Sequence, residues 1–318
     1  MTSSNSSVVF LFPGQGSQAV GMGKELADNY PVARQTFEEA DEALGYKLSQ
    51  VCFEGPEEKL KLTEITQPAI LTASIAAWRV LREKGLQADF VAGHSLGEYS
   101  AHVAAATLTF ADAVRTVRNR GRYMQEAVPV GVGAMAAILG MPAEKVTGIA
   151  ADAAQGEVCQ AANINSPEQI VISGNAGAVE RAIQLAHERG AKKAVNLPVS
   201  APFHCALMQP AQDRLAEDLL GLPFQNPSCA VVCNVDAAEV ASAEASRAAL
   251  VRQVTGTVRW EPSVRLLIEK GASLFIEVGP GKVLWGLMRQ IDRSKTCLTV
   301  GDEASLQKTM AQVAALAA

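Results

Sequence analysis

The sequence predicts an α/β fold: a large domain on a mostly parallel sheet, interrupted by a small inserted domain. Three observations lead there. Short apolar runs at 8–12, 90–92, 230–233 and 274–278 alternate with longer stretches of helical period. Strands buried on both faces read as such continuous hydrophobic runs. Three of these runs end on breakers, Pro13-Gly14, Gly93 and Gly279-Pro280-Gly281, so the chain turns from strand into helix, as it does when helices cover both faces of a sheet. Residues 129–198 follow a different order. They read as strand 134–139, helix 142–154, strands 158–164 and 169–173 joined at Asn165-Ser166-Pro167, helix 176–189 and strand 193–197. That is β-α-β-β-α-β, the ferredoxin-like pattern. Gly131 and Gly133 mark its entry, and Pro198 and Pro202 its exit. The expected organisation is a large domain from 1–128 and 199–318 and a small one from 129–198.

Along the chain, the strand at 8–12 is followed by a helix starting soon after Ser17 and a second over 31–44. A longer helix is predicted over 68–84, because Pro68 suits a first helical position and Gly85 an exit. The strand at 90–92 leads through Gly93-His94-Ser95-Leu96-Gly97 into a helix over 98–106, and another follows over 110–128. After the small domain come a helix at 206–220, the strand at 230–233, and helices around 244–254 and 262–270. The strand at 274–278, a helix to about 291, a short strand at 298–300 and a final helix complete the chain.

Composition narrows the possible functions. The 318 residues are 48% hydrophobic and 19% charged, ample for a large core. With 28 basic and 33 acidic residues the net charge is −5, which disfavours a general nucleic-acid binder. No apolar run approaches the ~20 residues that cross a bilayer. Residues 1–7 are polar without Lys or Arg, and 8–12 is too short for a signal-peptide core. A cytoplasmic location, without membrane attachment, is expected. The six cysteines include no Cys-x-x-Cys pair and read as reduced, small buried residues. The four histidines show no metal-ligand spacing, so no metal is expected.

The segment from Gly93 to Gly97 matches Gly-x-Ser-x-Gly between a strand and a helix. This context exposes a serine hydroxyl on a tight turn and aims a helix N-terminus at it. Ser95 is therefore a candidate nucleophile, and the N–H of Leu96 a candidate oxyanion donor. Among possible bases, His94 adjoins the serine and should point away from it, while His102 and His187 fall inside predicted helices. His204, in the loop Ser200-Ala201-Pro202-Phe203-His204 before a helix, remains. The loop Pro13-Gly14-Gln15-Gly16-Ser17-Gln18 has two readings. Gly14, Gly16 and Ala19 fit a dinucleotide-binding pattern, but a second helix follows where a strand should, and no acidic residue ends a strand about twenty residues on. Alternatively the N–H of Gln15 is a second oxyanion donor.

The sequence resembles the malonyl-CoA:acyl-carrier-protein transacylases. The resemblance rests on Leu11–Gln18, on Gly93-His94-Ser95-Leu96-Gly97-Glu98-Tyr99-Ser100-Ala101 and on Ser200–His204, in the family's order and spacing. Asn119–Gln125, Asn163-Ile164-Asn165-Ser166-Pro167 and Glu277-Val278-Gly279-Pro280-Gly281 add to it, and it runs from about residue 8 to past 301. It implies a hydrolase-like large domain holding a ferredoxin-like insert. It also implies ping-pong transfer of a malonyl group from malonyl-CoA to the phosphopantetheine thiol of an acyl carrier protein, for fatty acid or polyketide synthesis, with no cofactor. Ser95 resembles the acylated nucleophile, His204 its base, and Arg120 the arginine that grips the malonyl carboxylate. Gln15 and Leu96 resemble the oxyanion donors. Gln253 resembles the residue whose main-chain carbonyl orients the histidine in place of an Asp. Phe203 stands where some members have Ser; related domains with Phe there tend to take malonyl groups.

Periodicity does not single out Arg120. On its helix Ala111, Val114, Val117, Gly121 and Met124 form the apolar face, which Arg118 and Arg120 flank. A serine esterase or thioesterase is the rival reading. Those enzymes run Ser, then Asp or Glu, then a late His, whereas His204, the last histidine, lies well before the C-terminus. A carrier protein is acidic, so docking is expected on a local basic patch, with Arg189, Lys192 and Lys193 one candidate. Nothing in the sequence calls for more than a monomer.

Overall fold

The computed structural model describes residues 7–317. Residues 1–6 of the polar N-terminal stretch, and Ala318, lie outside them. Among the described residues the strands are β1 (Ser7–Phe12), β2 (Phe90–Gly93), β3 (Gly133–Leu139), β4 (Cys159–Ser166), β5 (Gln169–Asn175), β6 (Lys193–Asn196), β7 (Ala230–Cys233), β8 (Ala238–Val240), β9 (Ala272–Val278) and β10 (Thr296–Val300).

Six strands form the large sheet in the order β10-β9-β1-β2-β7-β8. Every pair is parallel except β7 with β8. Burial on both faces explains the unbroken apolar runs. In β1 Phe10 and Phe12 face one core, while Val9 and Leu11 face the other, as the two-residue period of a strand requires. β1 is flanked by β2, the next strand in sequence, and by β9 from near the chain's end. The strand order reverses between β1 and β9, so the carboxyl end of β1, with β2 beside it, borders the switch point where α/β sheets bind ligands.

The second sheet runs β4-β5-β3-β6, antiparallel throughout. Helices Ala143–Ala154 and Ala176–Glu188 cover one face with their own apolar core. Met135, Ala162 and Val171 join the core of the large unit instead. Main-chain bonds weld β4 to that unit: the Val258 N–H donates to Ala162 O at 2.8 Å, and the Ile164 N–H to Val258 O at 2.9 Å. The fold is therefore a mostly parallel α/β unit holding a ferredoxin-like insert.

Several elements differ from expectation. The long helix spans Thr63–Glu83, with Pro68 inside it rather than at its start. Pro68 lacks only the donor that would bond Glu64, and it lies close enough to the helix start for that loss to be local. The helix after Ser17 begins only at Lys24, because the preceding glycine-rich loop is tied elsewhere: the Gly21 N–H donates to Cys52 O at 2.7 Å. The short helices Leu48–Glu54 and Glu57–Leu60 and the edge strand β8 were not foreseen. β4 extends through Asn165 and Ser166, which places those residues in the strand rather than in a turn. The helix before β7 opens with a 3-10 turn, Ala206–Met208, and continues as Gln209–Leu220.

Two glycines should respond oppositely to alanine. Gly148 lies in an exposed helix interior with open space around its Cα, so Gly148→Ala should raise the unfolding free energy by about 0.5–1 kcal/mol. A Cβ at Gly97 would collide with the Phe12 carbonyl, so Gly97→Ala should cost more than about 2 kcal/mol. Chemical denaturation of both variants checks the pair.

Candidate active site

The site begins with a backbone constraint. β2 ends at Gly93 and helix Gly97–Ala104 starts four residues later. The turn between them holds Ser95 at φ 51, in the left-handed region that non-glycine residues seldom occupy. It closes only because positions 93 and 97 lack a Cβ: one at Gly93 would strike the Gly97 backbone. Asn234, at the end of β7, holds the turn from below. Its Oδ1 accepts the Ser95 N–H at 2.7 Å, and its Nδ2 donates to Gly93 O at 2.7 Å.

His204 is also held at positive φ, 58°. Its Nε2 lies 2.7 Å from Ser95 Oγ, and its Nδ1 lies 2.9 Å from the main-chain O of Gln253. A carbonyl only accepts, so Nδ1 carries the hydrogen and Nε2 is left to accept from the serine hydroxyl. Burial, and secondarily the Arg120 guanidinium, push the imidazole pKa down to about 3. The ring is therefore neutral at ordinary pH, with the Nε2 lone pair turned to the serine hydroxyl.

Arg120, on helix Phe110–Glu126, is only 2% exposed. The buried face of that helix includes Ala113, Thr116, Arg120 and Tyr123, so the arginine lies within it rather than beside it. Arg120 Nη1 donates to Gln67 Oε1 at 2.8 Å. Nη2 donates to Gln253 Oε1 at 2.9 Å and to Ser95 Oγ at 3.1 Å. The guanidinium also lies over the Tyr99 ring, 5.7 Å from its centroid. Burial lowers its pKa, while the charges of Tyr99 and Glu98 oppose that shift.

The loop after β1 abuts the serine turn. The His94 N–H donates to Phe12 O at 3.0 Å, and the Gly14 Cα is so close to the His94 carbonyl that a Cβ there would lie 2.5 Å from its oxygen. Among the described residues the N–H groups of Gln15 and Leu96 take part in no hydrogen bond. Gln15 is exposed and Leu96 buried. His94 is turned to Asn165, its Nε2 2.8 Å from Oδ1, and its ring is tilted against Trp260. His102 is buried within its helix and His187 exposed on another.

Ser95, His204, Arg120 and Gln253 thus meet through direct hydrogen bonds, with the Gln15 and Leu96 loops alongside. Sequence reasoning missed Gln67, Glu98 and Asn234. Gln67 was lost because the helix was started at Pro68. Glu98 and Asn234 are fully buried polar residues whose partners lie far along the chain. The expected basic patch is largely spent within the chain: Arg189 pairs with Asp152 at 2.6 Å and Lys192 with Glu168 at 2.8 Å. Among the described residues there is no cluster suited to a metal ion, no cysteine is bonded to another, and no helix is long and apolar enough to cross a membrane.

Residues 9–314 match the acyl transferase domain family. The chain belongs to that family. The malonyl CoA-acyl carrier protein transacylase of Bacillus subtilis is 49% identical over 303 residues, covering 95% of this chain and 96% of the relative. The crystal structure of an acyl carrier protein S-malonyltransferase from Vibrio cholerae superposes with a TM-score of 0.94 at 49% identity, over 96% of this chain and 100% of that one. A malonyl-transacylase in complex with a type II PKS acyl-carrier protein superposes at 0.92, with 49% identity over 95% and 98%. The chain is thus an acyltransferase, grouped with the malonyl CoA-acyl carrier protein transacylases.

This acyltransferase buries a second neutral histidine besides His204. Among the described residues His102 has no hydrogen-bond partner on either ring nitrogen, and burial pushes its pKa to about 3. Below the ordinary histidine pKa the unfolded chain binds a proton that the folded chain refuses, so His102 removes stability as pH falls. Glu98 and Glu277, pushed up to about 7 by burial, act in the opposite direction over part of that range. A comparison of His102→Leu with the parent isolates the histidine. Between pH 6 and 4.5 the variant's relative stability should rise by about 1.4 kcal/mol per pH unit of acidification. Urea denaturation across that range measures it; a pH-independent difference would show that His102 is charged in the fold.

Proposed function

We propose that this acyltransferase moves a malonyl group from malonyl-CoA to the phosphopantetheine thiol of an acyl carrier protein, through a malonyl ester on Ser95. One observation carries the reading: Ser95 Oγ lies within hydrogen-bond distance of both a neutral imidazole and a buried guanidinium. The relatives' names agree with it.

In the forward half-reaction the malonyl carboxylate takes two parallel hydrogen bonds from the Arg120 guanidinium, replacing its contact with Ser95 Oγ, while Gln67 and Gln253 keep their hold on it. His204 Nε2 removes the Ser95 hydroxyl proton as Oγ attacks the thioester carbonyl. The N–H groups of Gln15 and Leu96, having no protein acceptor, receive the oxyanion, each worth roughly 3–4 kcal/mol. The Gln253 carbonyl holds Nδ1–H and stabilises the imidazolium, the task an aspartate performs in other serine enzymes. Collapse expels the CoA thiolate, which takes the proton from His204. The carrier thiol then reverses the sequence, losing its proton to His204 as its sulfur attacks the ester, and Ser95 leaves with that proton.

The fold reading fits this scheme. We take residues 129–198 as a separately cored small domain on the large one, and the protein as a cytoplasmic monomer acting without a metal or redox cofactor. Nothing in the site favours the esterase alternative.

The direct test compares acceptors. With malonyl-CoA the protein should load a carrier thiol far faster than it releases free malonate; hydrolysis as the dominant outcome would make it a thioesterase. Arg120→Ala should reduce kcat/KM for malonyl-CoA by about a hundredfold more than for acetyl-CoA, as expected for a lost charge-assisted pair. An equal loss on both substrates would remove the arginine's assigned role.

A further inference from the structure

A carboxylate that touches no candidate reacting group lies under the site. Glu98, in the first turn of helix Gly97–Ala104, is 0% exposed. Its Oε2 accepts from the Asn234 N–H at 2.9 Å and from Gln253 Nε2 at 2.8 Å, while Oε1 has no partner among the described residues. Burying a carboxyl in this way costs several kcal/mol unless something is gained from it.

The gain is visible in what Gln253 must do. Among the described residues, its amide alone hydrogen-bonds both the Ser95 main chain and the arginine. Nε2 donates to Ser95 O at 2.9 Å as well as to Glu98, and Oε1 accepts from Arg120 Nη2 at 2.9 Å. A free amide has two nearly isosteric orientations, and only one is compatible with this wiring. Turned over, it would present NH2 to a guanidinium and an oxygen to a carboxylate, both repulsive. Glu98 opposes that flip together with the Ser95 carbonyl and Arg120, because its Oε2, already taking the Asn234 N–H, offers the amide only an acceptor. Gln67 then fixes the other arm, Nη1, leaving Nη2 no choice but to face Ser95 Oγ.

We propose that Glu98 is a positioning residue for substrate selection: through the Gln253 amide it aims the Arg120 guanidinium at the acyl position of Ser95, and so sets the preference for a carboxylated acyl group. This rests on the reading of Arg120 as the carboxylate clamp. Glu98 never contacts substrate. Its reach matters more than its charge, because what it supplies is an acceptor at one place.

Two substitutions separate reach from charge. Glu98→Asp keeps the charge and withdraws the acceptor by one methylene, beyond Gln253 Nε2. Glu98→Gln loses the charge, but its Oε1 can sit where Oε2 sat, with the NH2 in the unpartnered place of Oε1. The readout is the ratio of kcat/KM for malonyl-CoA to that for acetyl-CoA, with KM and kcat resolved separately and a thermal melt confirming the fold. Glu98→Asp should lower the ratio at least about tenfold, mainly through a higher malonyl-CoA KM, whereas Glu98→Gln should stay within about threefold of the parent. The reverse ranking would make Glu98 a counter-charge and overturn the proposal, as would equal losses on both substrates. Arg120→Ala run alongside distinguishes the failures. If it lowers the ratio and Glu98→Asp does not, the positioning role alone falls; if it leaves the ratio unchanged, the clamp reading and this proposal fall together.

Discussion

The close approach of two backbones organises the molecule. Helix Gly97–Ala104 starts so near the end of β1 that Gly97 faces the Phe12 carbonyl with no room for a methyl group. That contact forces the turn after β2 to be tight, and the tightness puts Ser95 at φ 51. Strain of this kind costs on the order of 1–3 kcal/mol and persists only where its surroundings over-determine it. Here the surroundings are identifiable: the Phe12 carbonyl accepts the His94 N–H, and Asn234 clasps the Ser95 N–H and the Gly93 carbonyl. The serine hydroxyl, the Leu96 N–H and the loop carrying Gln15 are placed together by one packing constraint rather than by separate ones.

The second organising feature is the removal of water. His204, Arg120, Glu98 and Gln253 are all at most 4% exposed. For histidine, burial keeps the imidazole neutral. For arginine and glutamate it raises the cost of charge, which the hydrogen bonds to Gln67, Gln253 and Asn234 partly offset. The offset is incomplete. Among the described residues Arg120 Nε and Glu98 Oε1 have no partner. Unsatisfied groups of this kind in a native fold call for an explanation; under the proposed function, the guanidinium keeps a donor in reserve for a carboxylate. Gln253 carries two of these tasks at once, its carbonyl bonded to His204 and its amide to Arg120 and Glu98. A change at this position should therefore disturb both.

What the sequence revealed follows the range of the interactions involved. Strands β1, β2, β7 and β9 were legible because burial on both faces leaves unbroken apolar runs. The ferredoxin-like insert was legible from the order of its periods. The placement of Ser95 and Leu96 was legible because an elbow is a local object whose glycines sit within two residues of the candidate nucleophile. His204 came by elimination among four histidines. Arg120 and Gln253 were accessible only through family resemblance, since an arginine flanking an apolar helix face is ordinarily solvated and a main-chain carbonyl leaves no trace in the side-chain code. Gln67, Glu98 and Asn234 were missed for a related reason. A lone polar residue declares its role only through partners, and Glu98 finds its partners 136 and 155 positions away. The short edge strand β8 and helix Leu48–Glu54 carry too few residues to show a period.

The central claim is that the Ser95 hydroxyl, activated by His204, becomes covalently acylated. Intact-protein and peptide mass spectrometry after brief exposure to malonyl-CoA alone, quenched in acid, measures this directly. The account predicts one malonyl adduct per chain on the peptide containing Ser95, absent from Ser95→Ala and discharged when a thiol acceptor is added before quenching. An unmodified protein that still transfers malonyl groups, or an adduct on any other residue, would contradict it.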